Sequence, residues 1–390
     1  MRNFEYYSPT KIIFGKDTHK QVGEEVKKYA NKILLHYGGG SVKKSGLYDQ
    51  VVNSLNEAGV EFIELGGVQS NPKLGLVYKG IELCKENNIE LILAVGGGSV
   101  IDSAKGIGMG VKYDGDVWDI YNSHKTIRDQ PSLPIATILT IPAAGSETSP
   151  NTVLTNEKTL IKTGAMSKYV RPVFSIMNPE LCYTLPKYQM ACGVSDMLAH
   201  TMERYFTNTE AVDYSDRLLE ASMKSIINMG PKLVYNMQDY DTWANIMWAG
   251  SMVHNGILGM GREEDWASHD IEHQLSAVYN IAHGAGLSIV FPAWMKYVYK
   301  QNINKFIQFA VKVWDVDLSY ENPEAIISEC ILRAESFYKK IGLPIRLSEI
   351  DIDGTEFKAM AKRVTEFSTV GNFKKLEEED IVQIYKLALK

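Results

Sequence analysis

The first half of the chain alternates short apolar runs with stretches of helical spacing. KILLHY (32–37) reads as a buried strand that runs into GGGS. LYDQVVNSLNEAG (47–59) places Val51, Val52 and Leu55 on one side of a helix that Gly59 stops. VEFIEL (60–65) predicts a second strand and KGIELCKENN (79–88) a second helix. IELILAV (89–95) predicts a third strand, followed at once by GGGSVIDSAKG, and PIATILTI (134–141) a fourth. Strands separated by helices in this order imply a parallel sheet with helices on both faces.

The period changes near YTLPKYQM (183–190). Beyond it GVSDMLAHTMERYF, SDRLLEASMKSIINM, TWANIMWAGSMVHNGI and NPEAIISECILRAESFYKKIG all repeat near 3.6 residues. The expected organisation is therefore an α/β, Rossmann-like domain over 1–188 and an all-helical domain over 189–390. No internal repeat or low-complexity tract interrupts either.

Composition narrows the partners more than the chemistry. At 390 residues, 45% hydrophobic and 23% charged, the chain can bury a large core and fill two domains. A net charge of -6 with no long basic run argues against nucleic acid and anionic membranes. Cys84, Cys182, Cys192 and Cys330 are widely spaced and form no CxxC, which predicts free buried thiols rather than disulfides or a thiolate zinc site. The N-terminal stretch has no apolar signal core, and no segment approaches the roughly 18 apolar residues of a membrane span. A cytoplasmic protein is expected.

Two glycine triplets directly follow predicted strands. Without Cβ atoms the backbone can turn sharply and bring its N–H groups close to an anion. Gly96, Gly97 and Gly98 leave IELILAV, and Ser99 opens the next helix, whose positive dipole end suits a pyrophosphate. Asp102, taken as lying in the first turn, is a cap or a cofactor ligand. One such turn is common; the second, Gly38, Gly39, Gly40 and Ser41, makes a dinucleotide held at both ends the better reading. Neither turn has GxGxxG spacing. After KILLHY the chain offers Ser41, Lys43 and Lys44 and no nearby acid, which favours NADPH, with NADH the alternative.

Three of eight histidines fall within DWASHDIEHQLSAVYNIAHGAG (265–286). Asp196 and His200 are spaced i,i+4, as are His269 and His273, so each pair shares a helix face and can reach one cation. Ten further residues of helix would carry His283 roughly 15 Å away. It can join only if the helix breaks, and Asn280 is a plausible stop. Spacing alone leaves open which two of the three histidines bind metal. An Asp–His set without cysteine suits Fe²⁺ or Zn²⁺, and also Co²⁺ or Mn²⁺. HDIEH (269–273) also matches H-x-x-E-H, the inverted zinc-protease signature with Glu272 as base, so a metal-dependent hydrolase is one alternative. A non-catalytic nucleotide-binding protein is another.

Taken together YGGGSVKKSG, GGGSVIDSAKG, LTIPAAGSETS, DMLAH and SHDIEH…AHGAGL resemble the iron-containing, group III alcohol dehydrogenases, in particular their NAD(P)H-dependent butanol dehydrogenase branch. The likeness runs from PTKIIFG to LEEEDIVQIYKLAL. It implies a dehydroquinate-synthase-like fold and a divalent metal in a cleft between the domains. The implied ligands are Asp196, His200, His269 and His283, with His273 beside the nicotinamide as proton relay or orienting group. It further implies phosphate contacts at Gly97, Gly98 and Ser99, an adenosine end at Gly38–Ser41 with Asn71 nearby, and cofactor contacts at Thr140 and Lys162. The expected reaction is hydride exchange between NAD(P)H and small to medium-chain aldehydes such as butanal, in a homodimer or larger assembly. Ile141 and Ala144 stand where many members carry threonines, and Asn178 where Asp is common. Trp266, Met260, Phe291 and Trp294 are candidates to line an apolar substrate pocket.

Overall fold

The computed structural model describes residues 1–121, 127, 129–319, 322–366 and 368–390. The chain forms two compact units. The first comprises Tyr7–Leu185 and Met237–Ser251; the second comprises Met1–Tyr6, Pro186–Asn236 and Met252–Lys390.

The first unit is α/β. Its strands are β1 (Lys11–Phe14), β2 (Lys32–Tyr37), β3 (Glu61–Leu65), β4 (Leu91–Gly96), β5 (Ile135–Leu139), β6 (Asn151–Asn156), β7 (Ile161–Met166) and β8 (Phe174–Met177). Six form one sheet in the order β1-β8-β5-β4-β2-β3, and β6 pairs with β7 as an antiparallel hairpin. Every pairing in the large sheet is parallel. The apolar pattern missed β1, the hairpin and β8. β1 is a half-exposed edge strand, and β8 is buried but too short at four residues to show a period.

Alternation across the pleat divides the core. Ile33, Leu35, Leu91, Leu93, Val95, Ala136 and Ile138 face one way and pack with Val26, Val51 and Leu55 from helices Val22–Lys27 and Leu47–Glu57. Helices Leu74–Glu86 and Gly98–Lys112 pack against each other, and the latter against the sheet. A Cβ at Gly80 would lie 2.3 Å from Ile107, so glycine there lets these two helices approach closely. From β2 the chain passes to β3 on one side, then to β4 on the other and on to β5. The sheet therefore has a topological switch point between the ends of β2 and β4, where open α/β sheets bind ligands.

The second unit is built of helices, among them Lys187–Tyr205, Asp213–Tyr235, Ala267–Tyr279 and His283–Val298. Asn280, at φ 53°, ends the third of these in a left-handed turn, and a new helix starts at His283. A Cβ at Gly284 would lie 2.0 Å from the Cys192 carbonyl oxygen, so helices Lys187–Tyr205 and His283–Val298 meet almost backbone to backbone. Phe206, Trp294, Phe306 and Phe373 form an aromatic core, with Phe291 stacked edge-on against Trp294 at 5.3 Å. Phe291 and Trp294, candidates for either a pocket or plain core, are thus core, and neither is exposed. Among the described residues the cysteines are free and buried, and no helix is long and apolar enough to cross a membrane.

Candidate metal and dinucleotide sites

Three helices of the second unit bring four side chains to one point. Helix Lys187–Tyr205 carries Asp196 and His200 one turn apart, helix Ala267–Tyr279 carries His269, and the break at Asn280 returns His283 to the same place. Nε2 of His200, His269 and His283 lie 3.3, 3.8 and 3.7 Å from Asp196 Oδ1. Asp196 Oδ1 and His269 Nε2 are buried with no hydrogen-bond partner. A buried, unsatisfied carboxylate oxygen is costly. Four ligands at bonds of about 2.1 Å around a tetrahedral cation stand about 3.4 Å apart. His200 Nε2 lies at that distance from Asp196 Oδ1, His269 and His283 lie a few tenths of an ångström farther, and Asp196, His200 and His269 form one set of mutually close ligand atoms. The oxygen–nitrogen donor set fits a divalent cation such as Fe²⁺ or Zn²⁺. His273 stands beside this cluster, its ring 5.4 Å from that of His283 and 6.4 Å from that of His269.

Electrostatics favour the ligating forms at two positions. Burial would raise the Asp196 carboxyl, yet the facing histidines hold it well below the usual carboxylate range. Burial pushes His200 down to about 3, so its imidazole is neutral at physiological pH. His269 behaves oppositely: against the effect of burial, Asp196 and Glu203 lift it to about 9, so cation uptake there displaces a proton.

Two glutamates complete the geometry. Glu203 Oε1 accepts from His269 Nδ1 at 2.8 Å and from its backbone N–H at 3.0 Å, while Oε2 accepts from the Trp266 N–H. Glu272 accepts from His283 Nδ1 and from Ser276 Oγ. The Glu272 carboxylate thus serves its neighbours, not an attacking water, which removes the physical basis of the H-x-x-E-H hydrolase reading. Arg204, which sequence reasoning did not single out, donates to the His200 carbonyl and His254 Nδ1 and lies 4.8 Å over the Trp266 ring.

On the α/β unit, Gly38–Gly40 follow β2 and Gly97 and Gly98 follow β4, so both loops lie at the switch point. Gly39 and Gly98 have no positive φ, and an added Cβ would meet nothing within 4 Å at Gly39 and only Ala144 at 3.8 Å at Gly98. The chain's own fold does not require glycine at either position, so what their small size leaves open is room for a ligand. Gly97 differs, because a Cβ there would lie 2.0 Å from Ile141. Ser41 begins the short helix Ser41–Lys44, Ser99 lies in the first turn of helix Gly98–Lys112, and Thr140 follows β5, its N–H bonded to the Gly96 carbonyl. Lys162 Nζ donates to Asn71 Oδ1 at 3.0 Å.

Several expectations change here. Asp102 lies in the second turn of its helix and cannot cap it; its oxygens accept from Ser146 Oγ and the Val153 N–H. Fully buried Lys105, also unanticipated, donates to the carbonyls of Ser146, Ser149 and Asn151 and so pins the GSETS segment. The first glycine loop does have an acid nearby. Glu64 accepts from the hydroxyls of Tyr37 and Tyr48 and lies 3.7 Å from Lys43 Nζ. It was missed because it comes from β3, which register places beside β2 with Leu35 opposite Glu64. Asn178 caps a 3₁₀ turn by accepting from the Glu180 N–H, a structural task.

A glycine cradle at a sheet switch point and a carboxylate–imidazole centre, carried by one chain, define the class of metal-dependent nicotinamide oxidoreductases. Residues 9–179 match the family described as iron-containing alcohol dehydrogenase, and 190–389 match the C-terminal domain of the Fe-containing alcohol dehydrogenase family. The chain belongs to the iron-containing alcohol dehydrogenase family, in its butanol dehydrogenase branch. It is 43% identical over 389 residues to a probable NADH-dependent butanol dehydrogenase of Bacillus subtilis, covering all of both chains. It is 35% identical to an NADPH-dependent aldehyde reductase of Escherichia coli, over 94% of each. Among solved structures, an NADH-dependent butanol dehydrogenase from Thermotoga maritima superimposes with a TM-score of 0.95 at 41% identity, over 100% of this chain and 99% of that one.

Proposed function

We propose that the protein is a metal-dependent alcohol dehydrogenase that interconverts small to medium-chain aldehydes, butanal among them, with their alcohols. Asp196, His200, His269 and His283 hold one divalent cation, Fe²⁺ or Zn²⁺. Gly97, Gly98 and Ser99 receive the pyrophosphate of the nicotinamide cofactor, and Gly38–Gly40 with Ser41 its adenosine end, with Asn71, Thr140 and Lys162 as further contacts. When bound, the cation supplies Lewis acidity to the carbonyl oxygen and the dinucleotide supplies the hydride. His273 holds the proton that the alcohol oxygen gains or loses.

The reading is carried by one observation: three imidazole Nε2 atoms surround an unpartnered, buried carboxylate oxygen at 3.3–3.8 Å. The test is metal analysis of the purified protein and of Asp196→Ala, paired with butanal-dependent loss of nicotinamide absorbance. Wild type is expected to carry about one cation per chain and to turn over; the variant is expected to do neither. An Asp196→Ala protein with full metal content and turnover would overturn the assignment.

For the cofactor, Glu64 withdraws the premise that favoured NADPH. A carboxylate held by two tyrosine hydroxyls and paired with Lys43 leaves that lysine less available to a 2′-phosphate and itself repels one. NADH is therefore the preferred cofactor in this proposal, as in the names of the butanol dehydrogenase relatives.

A further inference from the structure

We infer that Glu203 and Glu272 are positioning residues that aim two of the metal-binding imidazoles and set the site's affinity for its cation. The inference rests on the four-ligand reading above and deepens it. Its sequence trace is a repeated spacing, His200-x-x-Glu203 and His269-x-x-Glu272. At i,i+3 a ligand and a glutamate share one helix face. Each glutamate, however, serves a histidine of a helix other than its own. Glu203 of helix Lys187–Tyr205 bonds His269 of helix Ala267–Tyr279, and Glu272 of that helix bonds His283 of helix His283–Val298.

The chemistry follows from the ring. A carboxylate can only accept, so in the neutral, ligating form the proton of each imidazole sits on Nδ1 and the Nε2 lone pair is free for the cation. Both glutamates are wholly buried, so neither bond is diluted by water. His200 Nδ1 has no such partner, which makes His200 the one ligand of this trio without an outer carboxylate.

The third repeat is a glycine. His283-x-x-Gly286 keeps the spacing, and a Cβ at Gly286 would lie 2.4 Å from Glu272 Oε1 and 2.6 Å from its Cγ. Glycine there is the space in which Glu272 sits. Ser276 holds the same carboxylate from its own helix. The HDIEH segment therefore has a use with no hydrolytic step: its first histidine is a ligand and its glutamate orients the next one.

The test uses the full-length protein, stripped with a chelator and reloaded with Co²⁺ alone. Co²⁺ affinity is read by competition with a chromophoric chelator, geometry by the ligand-field band, and folding by the melting curve of the stripped protein. Glu272→Gln and Gly286→Ala are each expected to weaken Co²⁺ binding by about 10–100-fold while the band keeps its shape. The double variant is expected to lose no more than the worse single one, because Gly286 acts only through Glu272. Wild-type affinity in folded Glu272→Gln would overturn the proposal. So would a band reporting a changed ligand number, since Glu272 would then be a ligand itself. Glu203→Gln also disturbs the Trp266 and His269 N–H bonds; if it fails to fold, Glu272→Gln and Gly286→Ala decide alone. If Asp196→Ala binds Co²⁺ as tightly as wild type, the four-ligand reading fails first, and that result is distinct from a silent Glu272→Gln.

Discussion

Acid should weaken the α/β unit through one buried histidine. His36 lies in β2 with no exposed surface; its Nδ1 donates to the Leu65 carbonyl at 2.8 Å, so Nε2 is the acceptor for the Ser103 hydroxyl at 2.9 Å. In the neutral ring both nitrogens are hydrogen-bonded, and burial disfavours the charged form. Burial lowers its pKa to about 4, against 6.5 for a free imidazole. Between those values the unfolded chain binds a proton that the folded chain refuses. The stabilisation from neutral His36 is thus whole above pH 6.5 and is lost as pH falls toward 4. At 1.36 kcal/mol per pKa unit the loss is about 2 kcal/mol at pH 5 and about 3 kcal/mol below pH 4. That is a sizeable part of the 5–15 kcal/mol, roughly, that holds a domain together. Other groups respond to acid as well, so the assay is a difference. Urea unfolding of chelator-stripped wild type and His36→Gln is compared at pH 7 and pH 5. Gln keeps one donor and one acceptor and does not titrate. The variant is expected to be the less stable at pH 7 and to recover about 2 kcal/mol relative to wild type at pH 5. Parallel pH dependences in the two proteins would refute a His36 held neutral by burial.

Glu64→Gln should shift cofactor choice: the ratio of NADPH to NADH affinity, read by nicotinamide fluorescence, is expected to rise about tenfold as Lys43 is released, and an unchanged ratio would remove Glu64 from discrimination. Gly39→Ala should leave the melting temperature unmoved, because its Cβ meets nothing, yet weaken dinucleotide binding; Gly97→Ala should cost about 1–3 kcal/mol of stability from the collision with Ile141. Calorimetry and cofactor titration of the pair separate the two effects, and equal melting temperatures would contradict the packing at Gly97. Phe291→Ala should cost about 3–5 kcal/mol with no change in preference for aldehyde chain length, since Phe291 is core. A shifted chain-length profile in that variant would return Phe291 to the substrate pocket.

Local spacing carries much of this molecule. The buried strands KILLHY and IELILAV stand out because parallel strands covered on both faces must be apolar along their length. The glycine triplets after them and the i,i+4 pairs Asp196–His200 and His269–His273 are legible for the same reason: turn chemistry and helix pitch act over a few residues. Other features needed the chain to be folded. Asn280 is legible as a helix stop, but that the next helix turns back to bring His283 to the Asp196 centre is decided by packing. Glu64 meets Lys43 only through the register of β2 with β3. Phe291 and Trp294 are as apolar as pocket residues would be, and only their neighbours show them to be core. The glutamates behind the histidines were written in the sequence as a three-residue step, but each acts on a helix other than its own. Period and propensity are set within one element; convergence is set by packing between elements far apart in the chain, and that packing is what the tertiary structure alone decides.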